Sequence, residues 1–101
     1  MYYGVITSVG ESITSYDRLH AALMERTGDD LTGMLLHVGR ETDEGFQVIE
    51  VWETKEQFDR CNREIIWPLA AELFVPEPSA PPTFEEFEPR GLVLTGSRLA
   101  H

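Results

Sequence analysis

The stretch FQVIEVW, residues 46–52, reads as a β-strand with apolar side chains on both faces. By alternation, Val48 and Trp52 point one way and Ile49 and Val51 the other. A strand of this kind belongs to a sheet that is covered on both sides. With 101 residues the chain has room for one modest core and few covering elements, so this strand narrows the possible architectures sharply. A carboxylate, Glu50, stands in the middle of it.

The rest of the chain supplies the neighbours. Residues 2–9, YYGVITSV, are β-branched and aromatic and read as a first strand ended by Gly10. Thr14 or Ser15 is positioned to cap a helix running to about Arg26, with Tyr16, Leu19 and Leu23 at helical spacing and Gly28 as its stop. LTGMLLHVG, 31–39, reads as a second strand, joined through the polar turn RETDEG to the strand around Glu50. Thr54 and Gln57 have capping-box spacing and open a helix over 54–73 with the inward stripe Phe58, Cys61, Ile65, Leu69 and Leu73. Pro68 should kink or interrupt that helix, because its ring meets the carbonyl of Glu64. PEPSAPP, 76–82, is a stiff connector. The last strand, TFEEFEPRGLVLTG over 83–96, carries Pro89 and so belongs at a sheet edge.

The order β-α-β-β-α-β is the split βαβ of the α+β ferredoxin-like fold, an antiparallel sheet with two helices on one face. We read residues 1–101 as one such domain. Two helices leave the other sheet face bare, so the expected cover is a second copy of the same sheet, in a two-fold homodimer that forms a dimeric α/β barrel.

Charge excludes several functions. Eighteen acidic residues against eight basic ones give a formal net charge of −10, with no Lys/Arg stripe to neutralise phosphates, so neither nucleic acid nor an anionic membrane is expected as a partner. No apolar run approaches a bilayer span and MYYGVITSVG lacks the features of a signal peptide, which points to the cytoplasm. One cysteine, Cys61, excludes an internal disulfide and a Cys-based zinc cluster, and the scattered His20, His37 and His101 lack metal-ligand spacing.

Each candidate site residue has a plain alternative. Glu50 is either a base or a carboxylate paired with an Arg or bonded across the dimer. With a four-residue turn, Arg40 faces Gly45, and His37 then lies on the same face as Glu50, one diagonal step away, where the two can pass a proton. A register change of one residue separates them, and a structural His37 is the alternative. Trp52 offers a flat ring for stacking on an aromatic ligand, or is core. Cys61 reads as a small core residue, and Asn62 beside it carries an amide that needs a partner. Trp67 falls off the inward stripe, where exposure marks a lid or dimer contact. Tyr2, Tyr3 and Tyr16 are candidate pocket hydroxyls. Arg90 either orients an anionic or phenolic ligand or pairs with Glu86 or Glu88.

GMLLHVG, a short acidic turn, GFQVIEVWETKEQFDRC and the helix that follows resemble the dimeric α/β-barrel superfamily, in particular small proteins similar to antibiotic biosynthesis monooxygenases. The most specific piece is the junction EVWETKEQF. The resemblance implies oxidation of aromatic or polyketide-like phenols by oxygen without a cofactor, in a pocket between sheet and helices. It also implies that residues such as Trp, Asn, Tyr and Arg line the pocket, with Trp52 at the matching strand position. Joined to the reading of the residues themselves, this makes Trp52, Asn62, Glu50 and His37 the candidates for the chemistry and Tyr3, Tyr16, Cys61 and Arg90 the candidates for ligand contact. Haem-degrading relatives carry a His nine or ten residues after the matching Trp, and here those positions are Cys61 and Asn62, so the axial haem ligand is missing. A related isomerisation or cyclisation is compatible with the same site. The alternative from another class is a non-catalytic homodimer that binds a ligand or is packed shut.

Overall fold

The computed structural model describes residues 2–27, 31–73 and 81–93. Its elements are β1 (Tyr3–Val9), α1 (Ile13–Thr27), β2 (Met34–Thr42), β3 (Gly45–Trp52), α2 (Lys55–Cys61), a π turn (Asn62–Ile66), α3 (Trp67–Leu73) and β4 (Thr83–Phe87). The strands form one antiparallel sheet in the order β2-β3-β1-β4, which is the ferredoxin-like arrangement. β3 and β1 are central, β2 and β4 lie at the edges, and Pro89 falls just beyond β4, where no ladder bond is required of it.

The core lies between the helices and the sheet face that carries Val5 and Trp52. Leu23 of α1, Phe58 and Cys61 of α2, Leu69 of α3 and Leu31 close around these two residues. Ile65 and Leu73, the remaining members of the stripe, pack against that cluster partly exposed. Thr54 caps α2 from an extended conformation, and its hydroxyl oxygen accepts the Gln57 N–H at 3.2 Å.

Several boundaries differ from the sequence reading. Helix α1 begins at Ile13, and the Ser12 carbonyl accepts the Ser15 N–H at 2.9 Å, so the cap position is Ser12 rather than Thr14 or Ser15. Strand β2 starts at Met34 and continues through Arg40 and Glu41 to Thr42, leaving only Asp43 and Glu44 in the turn. The polar residues read as a loop belong to an edge strand, where one side of the backbone and the outward side chains stay solvated. Strand β4 stops at Phe87, and residues 88–93 have no regular structure. Gly28, residues 76–80 of the connector and 94–96 of the last strand lie outside the described residues.

The second helix is interrupted before Pro68, as a proline there leads one to expect, and the interruption takes the form of a π turn. There the Trp67 N–H reaches the carbonyl of Asn62, five residues back. The wider turn relieves the crowding that a proline ring imposes on the carbonyl four residues earlier. Trp67 emerges 57% exposed.

The opposite sheet face carries Ile6, Leu36, Val38, Ile49, Val51 and Phe87, by alternation and register. Phe87 lies over Gly4, where a side chain would collide with its ring. Val38 is 43% exposed. No helix among the described residues is long and apolar enough to cross a membrane.

Candidate functional site

Glu50 sits on the helix-facing side of β3, in a row with Val5 of β1 and His37 of β2. Because β2 runs to Thr42, His37 stands directly opposite Glu50 rather than one diagonal step away. The displacement from the expected register is two residues, which preserves the face. His37 Nδ1 lies 2.7 Å from Glu50 Oε2, and the Trp52 indole N–H donates to Glu50 Oε1 at 3.0 Å.

Tyr16, from the first turns of α1, completes a line of polar groups. Its hydroxyl lies 2.8 Å from His37 Nε2, and its ring stacks on the imidazole at 5.9 Å between centroids. That approach depends on Gly39, since any Cβ there would run into the Tyr16 ring. His20, one helical turn further on, stacks on Tyr16 at 5.5 Å and on His37 at 5.6 Å, with its Nδ1 3.4 Å from the Tyr16 oxygen. Sequence reasoning grouped His20 with unconnected histidines. The signal for it was the i, i+4 spacing from Tyr16.

Donor and acceptor types set the direction of these hydrogen bonds. An indole N–H only donates, so Glu50 Oε1 accepts. With Glu50 as a carboxylate, His37 Nδ1–H donates to Oε2, and the Nε2 of a neutral His37 accepts the Tyr16 hydroxyl proton. The Tyr16 phenol is pushed above its ordinary pKa of 10.0, first by burial and then by the negative charges of Glu50 and Asp17, so it keeps its proton at neutral pH and has an O–H to donate. His37 and Glu50 are mostly shielded, their side chains 19% and 14% exposed.

The line opens on a cavity of about 280 Å³ between the sheet and the helices. Its other walls are largely apolar, with Leu19, Leu23, Val48, Phe58 and Ile66 among them, and Asn62, Cys61 and Trp52 also line it. Burial, followed by Glu50 and Glu64, pushes the Cys61 thiol up to about 11. Cys61 is therefore a protonated core thiol at neutral pH, with neither the nucleophilicity nor the metal affinity of a thiolate. Among the described residues, no group of three His, Cys, Asp or Glu side chains is placed to hold a metal.

Three sequence candidates are not brought to this cavity. Tyr2 is exposed and does not line it. Tyr3 donates instead to Glu86 at 2.8 Å and packs on Phe58 at 5.5 Å; burial and then the Glu86 bond raise its pKa. Glu86, held below the usual carboxylate range by that bond and then by Lys55, also pairs with Lys55 at 3.2 Å, so Tyr3 serves as a strut from β1 to β4. Arg90 is exposed beyond the end of β4. Trp52, proposed for stacking on a ligand, is 2% exposed and belongs to the core while touching the cavity.

No family model matches this sequence, and no curated protein is significantly similar to it. Solved structures are similar in fold. A candidate antibiotic biosynthesis monooxygenase from Caulobacter crescentus superposes with a TM-score of 0.69 at 14% identity, over 89% of this chain and 91% of its own. A second, from Chloroflexus aurantiacus, gives 0.67 at 20% identity over 95% and 100%. The haem-degrading protein MhuD from Mycobacterium tuberculosis, solved with two haems in its active site, gives 0.57 at 17% identity over 90% and 98%. The chain thus has the ferredoxin-like fold of small antibiotic biosynthesis monooxygenase-like proteins.

Proposed function

We propose that this protein is an antibiotic biosynthesis monooxygenase-like enzyme that oxidises a hydroxylated aromatic or polyketide-like molecule with oxygen and no cofactor. The observation that carries the reading is the Glu50–His37–Tyr16 line opening on an otherwise largely apolar cavity. A substrate with an acidic O–H or activated CH₂ passes its proton to the Tyr16 oxygen as Tyr16 passes its own to His37 Nε2. The Glu50 carboxylate stabilises the imidazolium that results. The electron-rich substrate anion then reduces oxygen directly: the CH₂ becomes a carbonyl, one oxygen atom enters the product and the other leaves as water. Isomerisation or cyclisation needs the same first proton transfer. Asn62, which lines the cavity at the start of the π turn, offers its amide to a substrate oxygen in this reading.

Oxygen uptake by the purified protein, measured on a panel of two- and three-ring phenols and anthrones with no cofactor added, tests the reading. Uptake with at least one compound, in step with its disappearance, is expected. Binding without uptake across the panel would instead favour a ligand-binding protein of the same fold.

We propose further that the protein works as a homodimer, joined through the apolar sheet face that carries Val38 and Ile49. Its support is the exposure of Val38 beside Ile6, Leu36 and Ile49. Wild-type protein at micromolar concentration is expected to run as a dimer in light scattering. Val38→Glu, which sets a charge on that face, is expected to give a folded monomer. A wild-type monomer would reject the assembly.

A further inference from the structure

The mouth of the cavity is lined by large apolar side chains that solvent still reaches. Trp67 at the start of α3 and Phe84 on β4 are 57% and 49% exposed, yet both line the same cavity as the buried relay. Phe84 continues a series of rings. Trp52 meets Phe58 edge-on at 5.8 Å, and Phe58 meets Phe84 edge-on at 6.4 Å, so aromatic contacts run without interruption from the Glu50 partner to the opening. The cavity itself, about 280 Å³, falls at the small end of small-molecule sites, roughly 300–1,000 Å³. Tyr16, Trp67 and Phe84 line this one space, so an extended ligand whose polar end meets Tyr16 can set its far end against the exposed rings at the mouth. Glu50 is the only carboxylate, and no Lys or Arg the cation, among the described residues that line the space. The part left at the mouth is accordingly uncharged and flat.

We propose that Trp67 and Phe84 form an outer aromatic subsite that binds the distal ring of an elongated ligand and so selects for ligand length. The proposal rests on the reading of the cavity as a site for hydroxylated aromatics. Trp67 owes its place to the π turn, which carries the chain past Pro68 while leaving the indole at the rim. A rigid ring held there stacks on a ligand ring with little further loss of side-chain freedom.

The test compares 2-naphthol with 2-hydroxyanthracene, which differ by one distal ring, by calorimetric titration of the full chain. Wild-type protein is expected to bind the three-ring probe about 10-fold more tightly, the size of one good aromatic contact. Trp67→Ala should bring the ratio close to one, and Trp67→Phe should restore most of it. Because the readout is a ratio of affinities in one protein, a partial loss of folded material cancels. A wild-type ratio near one, or an unchanged ratio in Trp67→Ala, overturns the subsite, as does a change of oligomeric state in Trp67→Ala, which makes the residue a contact between copies. Absence of oxygen uptake with a preserved length preference overturns the proposed reaction and leaves the subsite standing.

Discussion

Glu50→Gln is expected to lower the rate of oxygen uptake by about 10²–10⁴-fold, the contribution of a positioned proton-transfer group, while leaving the protein folded. The substitution is nearly isosteric, so packing against Trp52 and Val5 is retained. If the Gln oxygen keeps the Trp52 N–H, its amide N–H₂ faces His37 and the ring must present the Nδ1 lone pair. His37 then carries its proton on Nε2, pointing at Tyr16, and no longer accepts the Tyr16 proton. The charge that would stabilise an imidazolium is also gone. kcat should therefore fall far more than KM changes, with a thermal midpoint shifted by only a few degrees. Unchanged turnover in a variant that still binds ligand would reduce the carboxylate to a structural role.

Trp52→Ala is expected to cost about 3–5 kcal/mol, as for other large aromatic side chains removed from cores. A domain of this size has about 5–15 kcal/mol in all, so the variant should be marginally folded or unfolded at 37 °C. Trp52 is 2% exposed and joins Val5, Phe58 and Leu69 in the central cluster. Its removal would also leave Glu50 Oε1 without its donor. Urea unfolding followed by circular dichroism measures the loss. Trp52→Phe keeps an aromatic ring in the core but removes the N–H and part of the fused ring, so it should cost less than Trp52→Ala while still depriving Glu50 of its donor. A cost below about 1 kcal/mol for Trp52→Ala would contradict its placement in the core.

These expectations depend on geometry that was only partly legible in the sequence. Alternation placed His37 and Glu50 on one face even though the turn was read too long, because a register error of two residues returns every side chain to the same side. The stripe Phe58, Cys61, Leu69 was legible from helical period, and it is buried as that period requires. Tyr3 and Tyr16 looked alike as candidate hydroxyls. Tyr3 bonds to Glu86 on β4 and Tyr16 lies within hydrogen-bond distance of His37, since what each meets is set by elements distant along the chain. Pro68 marked the place of an irregularity, but a π turn and a kink both answer the same steric demand, and local sequence does not choose between them.

The sequence by itself determined the order of elements, the faces of the strands and the need to cover a sheet that is apolar on both sides. These follow from periods of about two and 3.6 residues, which each element carries within itself. Only the tertiary structure decided that Tyr16 reaches His37, 21 positions away, that His20 stacks on both, and that Trp67 stands at the mouth of the cavity. Those contacts depend on how α1 lies over β2 and β3 and how α3 packs against α1, and that packing is settled by many residues at once, Gly39 beneath the Tyr16 ring among them.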